Sequence, residues 1–188
     1  MADVYVVHGF ESNPQANWFP WLKQDVGTAL GLDVKVLNLP DPFHPTPQAW
    51  DVACDEQIQR SDGFTIVGHS LGCIQTVRFV EQHDLHDVNL ILVSGFDEPL
   101  STIPALDDFT KTPIDYAKVL PKLARAVVVS AMDDDEVPFV YTQTLARHLH
   151  AAFMLLPEGK HLNWEQGYTK LPIVETILRE FMTVSDGQ

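Results

Sequence analysis

The sequence predicts a single-domain α/β fold, with six mostly parallel strands at the centre of three α/β/α layers. Two observations carry this. Six short, β-branched apolar runs recur at residues 4–7, 34–37, 64–67, 90–93, 126–129 and 153–156. Their near-continuous apolarity, without alternation, is the pattern of strands covered on both faces. Segments with helical spacing lie between or after them, at about 18–30, 47–59, 71–82, 139–148 and 171–182. Strands that alternate with helices build a parallel sheet through right-handed crossovers.

The elements follow in order. The first run ends at His8-Gly9-Phe10, a turn that leads into the first helix. After the second run, residues 40–47 hold four prolines and read as an irregular loop near the C-terminal edge of the sheet. Pro47 and Pro138 stand at helix starts, where a missing N–H costs little. After the fourth run, residues 95–111 form a polar, proline-containing excursion, a candidate lid too short to cover a large pocket. A short helix near 114–120 follows it. The domain is expected to span 1–184, with 185–188 as a short flexible tail.

Composition narrows the function. A chain of 188 residues that is 45% hydrophobic suits one domain with a good core. No run of apolar residues is long enough to span a bilayer. The start, Met1-Ala2-Asp3-Val4-Tyr5, has an acid and no basic segment, so no signal peptide and a cytoplasmic location are expected. Cys54 and Cys73 are too few for a disulfide framework or a metal site, and read as small buried hydrophobes. The net charge of −14 argues against nucleic acid and anionic membranes as partners.

The motif that carries chemistry is Gly68-His69-Ser70-Leu71-Gly72. It fits G-x-S-x-G and sits between an apolar run, Gly63-Phe64-Thr65-Ile66-Val67, and a helical segment from Leu71. Strand, sharp turn and helix are the context of a nucleophile elbow, which exposes a serine hydroxyl at the top of a sheet. The other reading is an ordinary tight strand–helix connection. A serine needs a base, a group to orient that base and donors for the developing oxyanion. Elbow hydrolases carry these in the order serine, acid, histidine. Ser70, Asp134 and His161 supply that order, and the last two follow the fifth and sixth runs. Of the eight histidines, His83, His86, His148 and His150 fall at helix ends or surface turns, and His44 falls in the proline loop. Asp133, Asp134 and Asp135 are consecutive, and Asp97 after the fourth run is a further candidate for the acid. The backbone N–H groups of Leu71 and Phe10 are the candidate oxyanion donors. Phe10, Trp18, Phe43, Phe96 and Trp164 are candidate pocket walls, against ordinary core packing, and Trp18 is also placed to seat the first helix on the sheet.

These residues together resemble the α/β hydrolase superfamily, and more narrowly the small YdeN-type serine hydrolases related to retinoblastoma-binding protein 9. The marks are Val7-His8-Gly9-Phe10, Trp18-Phe19-Pro20-Trp21-Leu22, the elbow, Leu92-Val93-Ser94-Gly95-Phe96, Asp134 to Pro138 and Gly159-Lys160-His161. Gln166-Gly167-Tyr168 and Leu171-Pro172-Ile173-Val174 also fit, so the likeness runs along nearly the whole chain. The resemblance implies the sheet order 2-1-3-4-5-6, without the large cap of bigger relatives. In that family the acid lies three residues before the Val-Pro pair, which selects Asp134. It also implies serine hydrolase activity on small acyl esters, with no metal and no organic cofactor. Amide or peptide hydrolysis by the same residues, and a non-catalytic binding protein on a hydrolase fold, are the alternatives. The expected partner is a small acyl substrate, with any protein partner left open.

Overall fold

The computed structural model describes residues 3–185. Its strands are β1 (Val4–Val7), β2 (Val34–Val36), β3 (Thr65–His69), β4 (Val88–Val93), β5 (Leu123–Ala131) and β6 (Ala152–Leu156). They form one sheet in the order β2-β1-β3-β4-β5-β6, with every neighbouring pair parallel. The order is the expected one. From β1 the chain goes to one side to make β2, then returns across β1 to make β3. The C-terminal ends of β1 and β3 therefore flank a topological switch point, where open α/β sheets place their ligands.

The apolar runs conceal a strict division of labour. In β1, Tyr5 and Val7 join one core while Val4 and Val6 join the other. In β4, Leu90 and Leu92 point one way, and Ile91 and Val93 the other. Successive side chains of a strand leave on opposite faces, so a strand buried on both sides must be apolar throughout.

Helices cover each face. The segment α1 (Phe19–Trp21), a π-helical stretch Leu22–Val26 and α2 (Gly27–Leu30) run on without a break, and Gly31 closes them at φ 68°. The expected first helix is thus present, with a π-turn at its centre. Leu22 and Val26 are buried in one core with Trp18 and Phe19. Next come α3 (Pro47–Gln57), α4 (Leu71–Gln82), α5 (Tyr116–Val119), α6 (Phe139–His148) and α7 (Pro172–Ser185). Thr46 caps α3 by accepting the Ala49 N–H at 3.4 Å, and Pro47 fills the first position. Residues from α7 complete the core beneath Trp18, whereas α3, α4 and α6 pack on the opposite face. The last helix reaches Ser185, one residue into the stretch expected as a tail, and 186–188 lie outside the described residues. Among the described residues, no helix is long and apolar enough to cross a membrane.

The 95–111 excursion folds down instead of standing over the sheet. Leu100, Leu106 and Phe109 are buried, and Phe109 meets Trp50 edge-on at 5.5 Å. A fully buried side chain of this size contributes about 1.5–3 kcal/mol. Exposed ion pairs such as Arg60–Asp55 contribute about 1 kcal/mol or less. Core anchoring therefore fixes this segment as a wall, with Ile103 at the rim of a cavity described next.

Candidate active site

Ser70 stands between β3 and α4 with φ 55° and ψ −124°, a backbone conformation that costs energy for any residue but glycine. Serine at a helix N-cap usually spends its hydroxyl on the first turn. Here the Ser70 side chain makes no capping hydrogen bond. The bend is held from both sides. The Ser70 N–H donates to the Val93 carbonyl and the Cys73 N–H to the Ser70 carbonyl, each at 2.9 Å. Two glycines allow the close approach. A Cβ on Gly72 would lie 2.1 Å from the Val7 carbonyl oxygen, and one on Gly9 would lie 2.8 Å from the Ser70 Cβ.

His161 and Asp134 meet in the loops after β6 and β5. The His161 Nδ1–H donates to Asp134 Oδ2 at 3.0 Å, with Oδ1 at 3.2 Å, and both side chains are almost fully buried. Asp134 Oδ1 also accepts the N–H groups of Glu136 (3.1 Å) and Val137 (2.9 Å). These bonds fix the carboxylate, which fixes the imidazole and leaves Nε2 as its available nitrogen.

The loop around His161 is held at several further points. Asp133 Oδ1 accepts the Gly159 and Lys160 N–H groups at 2.8 Å each, and these bonds, that from Lys160 foremost, hold its carboxyl below the usual range. The His69 Nε2–H donates to the His161 carbonyl at 3.0 Å, and the Trp18 indole N–H donates to the Leu162 carbonyl at 3.1 Å. Burial, with the neighbouring His161 adding to it, pushes His69 down to about 3. His69 is therefore neutral near pH 7. Burial likewise lowers His8. Cys54 and Cys73 are free and buried, and burial pushes Cys54 up to about 12 and Cys73 up as well. Neither thiol is poised to react.

Ser70 and His161 border one cavity of about 100 Å³ at the switch point, with Phe10, Ser12, Asn17 and Glu136 among its other walls. No hydrogen bond joins Ser70 to His161 in this structure. Nucleophile–base bonds of this kind are often loose until substrate arrives. Leu71 begins α4, so helix geometry leaves its N–H without an intrahelical acceptor. The Phe10 N–H has no acceptor among the described residues.

Other expectations fall elsewhere. Of the five aromatics, Phe10 and Trp164 line the cavity. Trp18 and Phe96 are buried in the two cores, and Trp18 acts as a buttress under the His161 loop. Phe43 is 59% exposed, because Trp50 and Glu11 bind the backbone of its loop at Pro40 and Pro42 and leave the ring outside. Asp97 is remote from His161 in its bonding. Its Oδ2 accepts the Tyr116 hydroxyl at 2.5 Å and His148 Nδ1 at 2.6 Å. Among the described residues, no cluster of His, Cys, Asp or Glu is arranged to hold a metal ion.

Several wall residues went unnoticed in the sequence. Asn163 caps the turn Trp164–Gln166 through Oδ1 and donates from Nδ2 to Glu136 Oε1 at 3.2 Å. Asn17 Oδ1 accepts the Trp164 N–H at 3.1 Å. The usable signal was proximity, since Glu136 and Asn163 each lie two residues from a site residue. Strain also marks the region. Among the described residues, nine non-glycine residues have positive φ, and five of them line the cavity (Glu11, Asn17, Ser70) or flank His161 (Lys160, Leu162). Such strain gathers where structure is held for function.

Comparison with known proteins agrees with this architecture. The YdeN protein of Bacillus subtilis (strain 168) is 34% identical over 183 residues, 96% of each chain. The crystal structure of the ydeN gene product from B. subtilis superposes with a TM-score of 0.93 at 33% identity, covering 97% of this chain and 100% of that one. The serine hydrolase RBBP9 of Rattus norvegicus is 22% identical over 162 residues, 86% of each chain. The fold is that of the α/β hydrolases. The family model for serine hydrolases matches residues 4–180, and the chain belongs to that family.

Proposed function

We propose that the protein cleaves small acyl esters, with Ser70 as nucleophile, His161 as general base and acid, and Asp134 as the group that orients His161. The observation that carries this reading is the buried Asp134–His161 pair, whose imidazole belongs to a residue that borders the same cavity as the strained, uncapped Ser70. His161 Nε2 takes the Ser70 proton as Oγ bonds to the carbonyl carbon. The Phe10 and Leu71 N–H groups receive the oxyanion. As the tetrahedral intermediate collapses, the bond to the leaving oxygen breaks and that oxygen takes the proton from Nε2. A water then gives a proton to Nε2 and attacks the acyl carbon, and Ser70 recovers its hydrogen as the acid departs. Every step uses side chains and backbone donors of this chain. The small cavity favours short acyl groups.

Fluorophosphonate labelling followed by intact-mass measurement tests the reading. One adduct is expected, on Ser70, and none on Ser70→Ala. Turnover of a short-chain p-nitrophenyl ester should fall on the order of 10⁴–10⁶-fold in Ser70→Ala and His161→Ala. A folded wild-type protein that takes no adduct would overturn the assignment and favour a binding role.

A further inference from the structure

The side of the cavity next to His161 is lined for positive charge. Glu136 Oε2 lies 3.8 Å from His161 Nε2, the nitrogen that Asp134 leaves available. The carboxylate is held in place, since Oε1 accepts from Asn163 and the Glu136 carbonyl accepts the Thr102 hydroxyl at 2.7 Å. Trp164, 56% exposed, lines the same cavity and offers an indole to a cation. Glu11 and Glu165 are also among the lining residues, and no lysine or arginine is. Ser12 is a separate sign of an unfilled polar site. It is 9% exposed, it borders the cavity, and its Oγ has no hydrogen-bond partner among the described residues.

The proton route sets the direction of binding. In the proposed reaction His161 Nε2 protonates the leaving oxygen, so that oxygen must come within about 3 Å of Nε2. Whatever it carries then extends beside Glu136. We infer that the leaving group is cationic: an amino alcohol or quaternary ammonium alcohol, held by the Glu136 carboxylate and the Trp164 indole. This rests on the ester-hydrolase reading above and specifies its substrate class. The acyl carbon passes to Ser70 Oγ, its bond to the leaving oxygen breaks, and the departing alcohol keeps its positive charge.

The test compares acetylcholine with 3,3-dimethylbutyl acetate, its neutral isostere. The expected kcat/KM ratio is about tenfold in favour of the cation, and Glu136→Gln should bring it close to one. Gln keeps an acceptor for Asn163, and fluorophosphonate labelling of the variant reports an intact nucleophile. Asp62→Asn, an equal charge change at an exposed position elsewhere, should leave the ratio as in the wild type. A wild-type ratio near one, or one that survives in Glu136→Gln, overturns the inference while ester hydrolysis stands. A Glu136→Gln rate that falls equally for both esters also overturns it, because Glu136 then acts on His161 alone. If neither ester turns over yet Ser70 is labelled, protection decides. Choline should slow labelling more than 3,3-dimethylbutan-1-ol, and equal protection overturns the inference. Absence of labelling removes the hydrolase reading itself.

Discussion

Asp133 and Asp134 are adjacent in the chain and grip two different parts of one loop. Asp133 accepts the backbone N–H groups of Gly159 and Lys160 at 2.8 Å, whereas Asp134 accepts the His161 imidazole at 3.0 Å. One carboxylate places the loop and its neighbour places the ring. The two roles separate by experiment.

Asp134→Asn should lower kcat on a short-chain p-nitrophenyl ester on the order of 10⁴-fold, because the amide no longer stabilises the imidazolium or fixes its tautomer. Asp133→Ala should lower the melting temperature, with a smaller effect on kcat. Asp97→Asn should leave kcat near wild type, since Asp97 bonds Tyr116 and His148 rather than His161. A silent Asp134→Asn beside a crippled Asp97→Asn would exchange their assignments.

Gly9→Ala should damage turnover more than stability. Its new methyl would stand 2.8 Å from the Ser70 Cβ and 3.1 Å from the His69 carbonyl oxygen. The β1 loop must shift to relieve this, and it carries the Phe10 N–H with it. Loss of one oxyanion donor costs about 10²–10³ in kcat. Steady-state kinetics should therefore show a fall in kcat with KM little changed. A wild-type kcat would remove Phe10 from the oxyanion site.

Trp18→Phe tests the buttress. The substitution keeps an aromatic ring in the core but removes the donor to the Leu162 carbonyl. A buried acceptor left alone costs about 1–3 kcal/mol, readable in urea unfolding. Preference among acyl chain lengths should not move, because Trp18 is buried and is not among the cavity walls. An altered chain-length preference would return Trp18 to the pocket.

Burial in this fold was legible because it has a period. A strand covered on both faces must be apolar at every position, so β1, β3 and β4 announced themselves. Ser70 was legible because the elbow's demands are local: Gly68 and Gly72 lie within two residues of it. Asp134 was set apart from its neighbours by the family's spacing to Val137, and its bonding to His161 accords with that choice. The pocket walls were not legible. Whether an aromatic lines a cavity or fills a core depends on which way a loop closes, and nothing near Phe43 or Phe96 encodes that. Trp50 tethers the backbone of the proline loop at Pro40, and its ring meets Phe109 of the 95–111 excursion in the core, contacts that no local pattern announces. Glu136 and Asn163 escaped notice because a polar residue in a loop reads as solvated until its partner, 27 residues away, is seen.

His69 makes the fold sensitive to acid independently of catalysis. Its Nε2–H is committed to the His161 carbonyl, and Nδ1 is buried without a partner among the described residues. A proton on Nδ1 would be a buried, unpaired charge, which is why burial pushes the group from 6.5 to about 3. The folded value lies below the unfolded one, so the unfolded chain binds a proton through that window and the folded chain does not. The contribution is complete above about pH 6.5 and is lost as the pH falls toward 3, by about 1.4 kcal/mol per pH unit. His8, lowered by burial, acts in the same direction. His69→Gln keeps a donor for the His161 carbonyl and cannot titrate. Urea unfolding at pH 7 and pH 5 should show the wild type losing about 2 kcal/mol more than His69→Gln. Equal losses would assign the acid sensitivity to other groups and place His69 in its ordinary range.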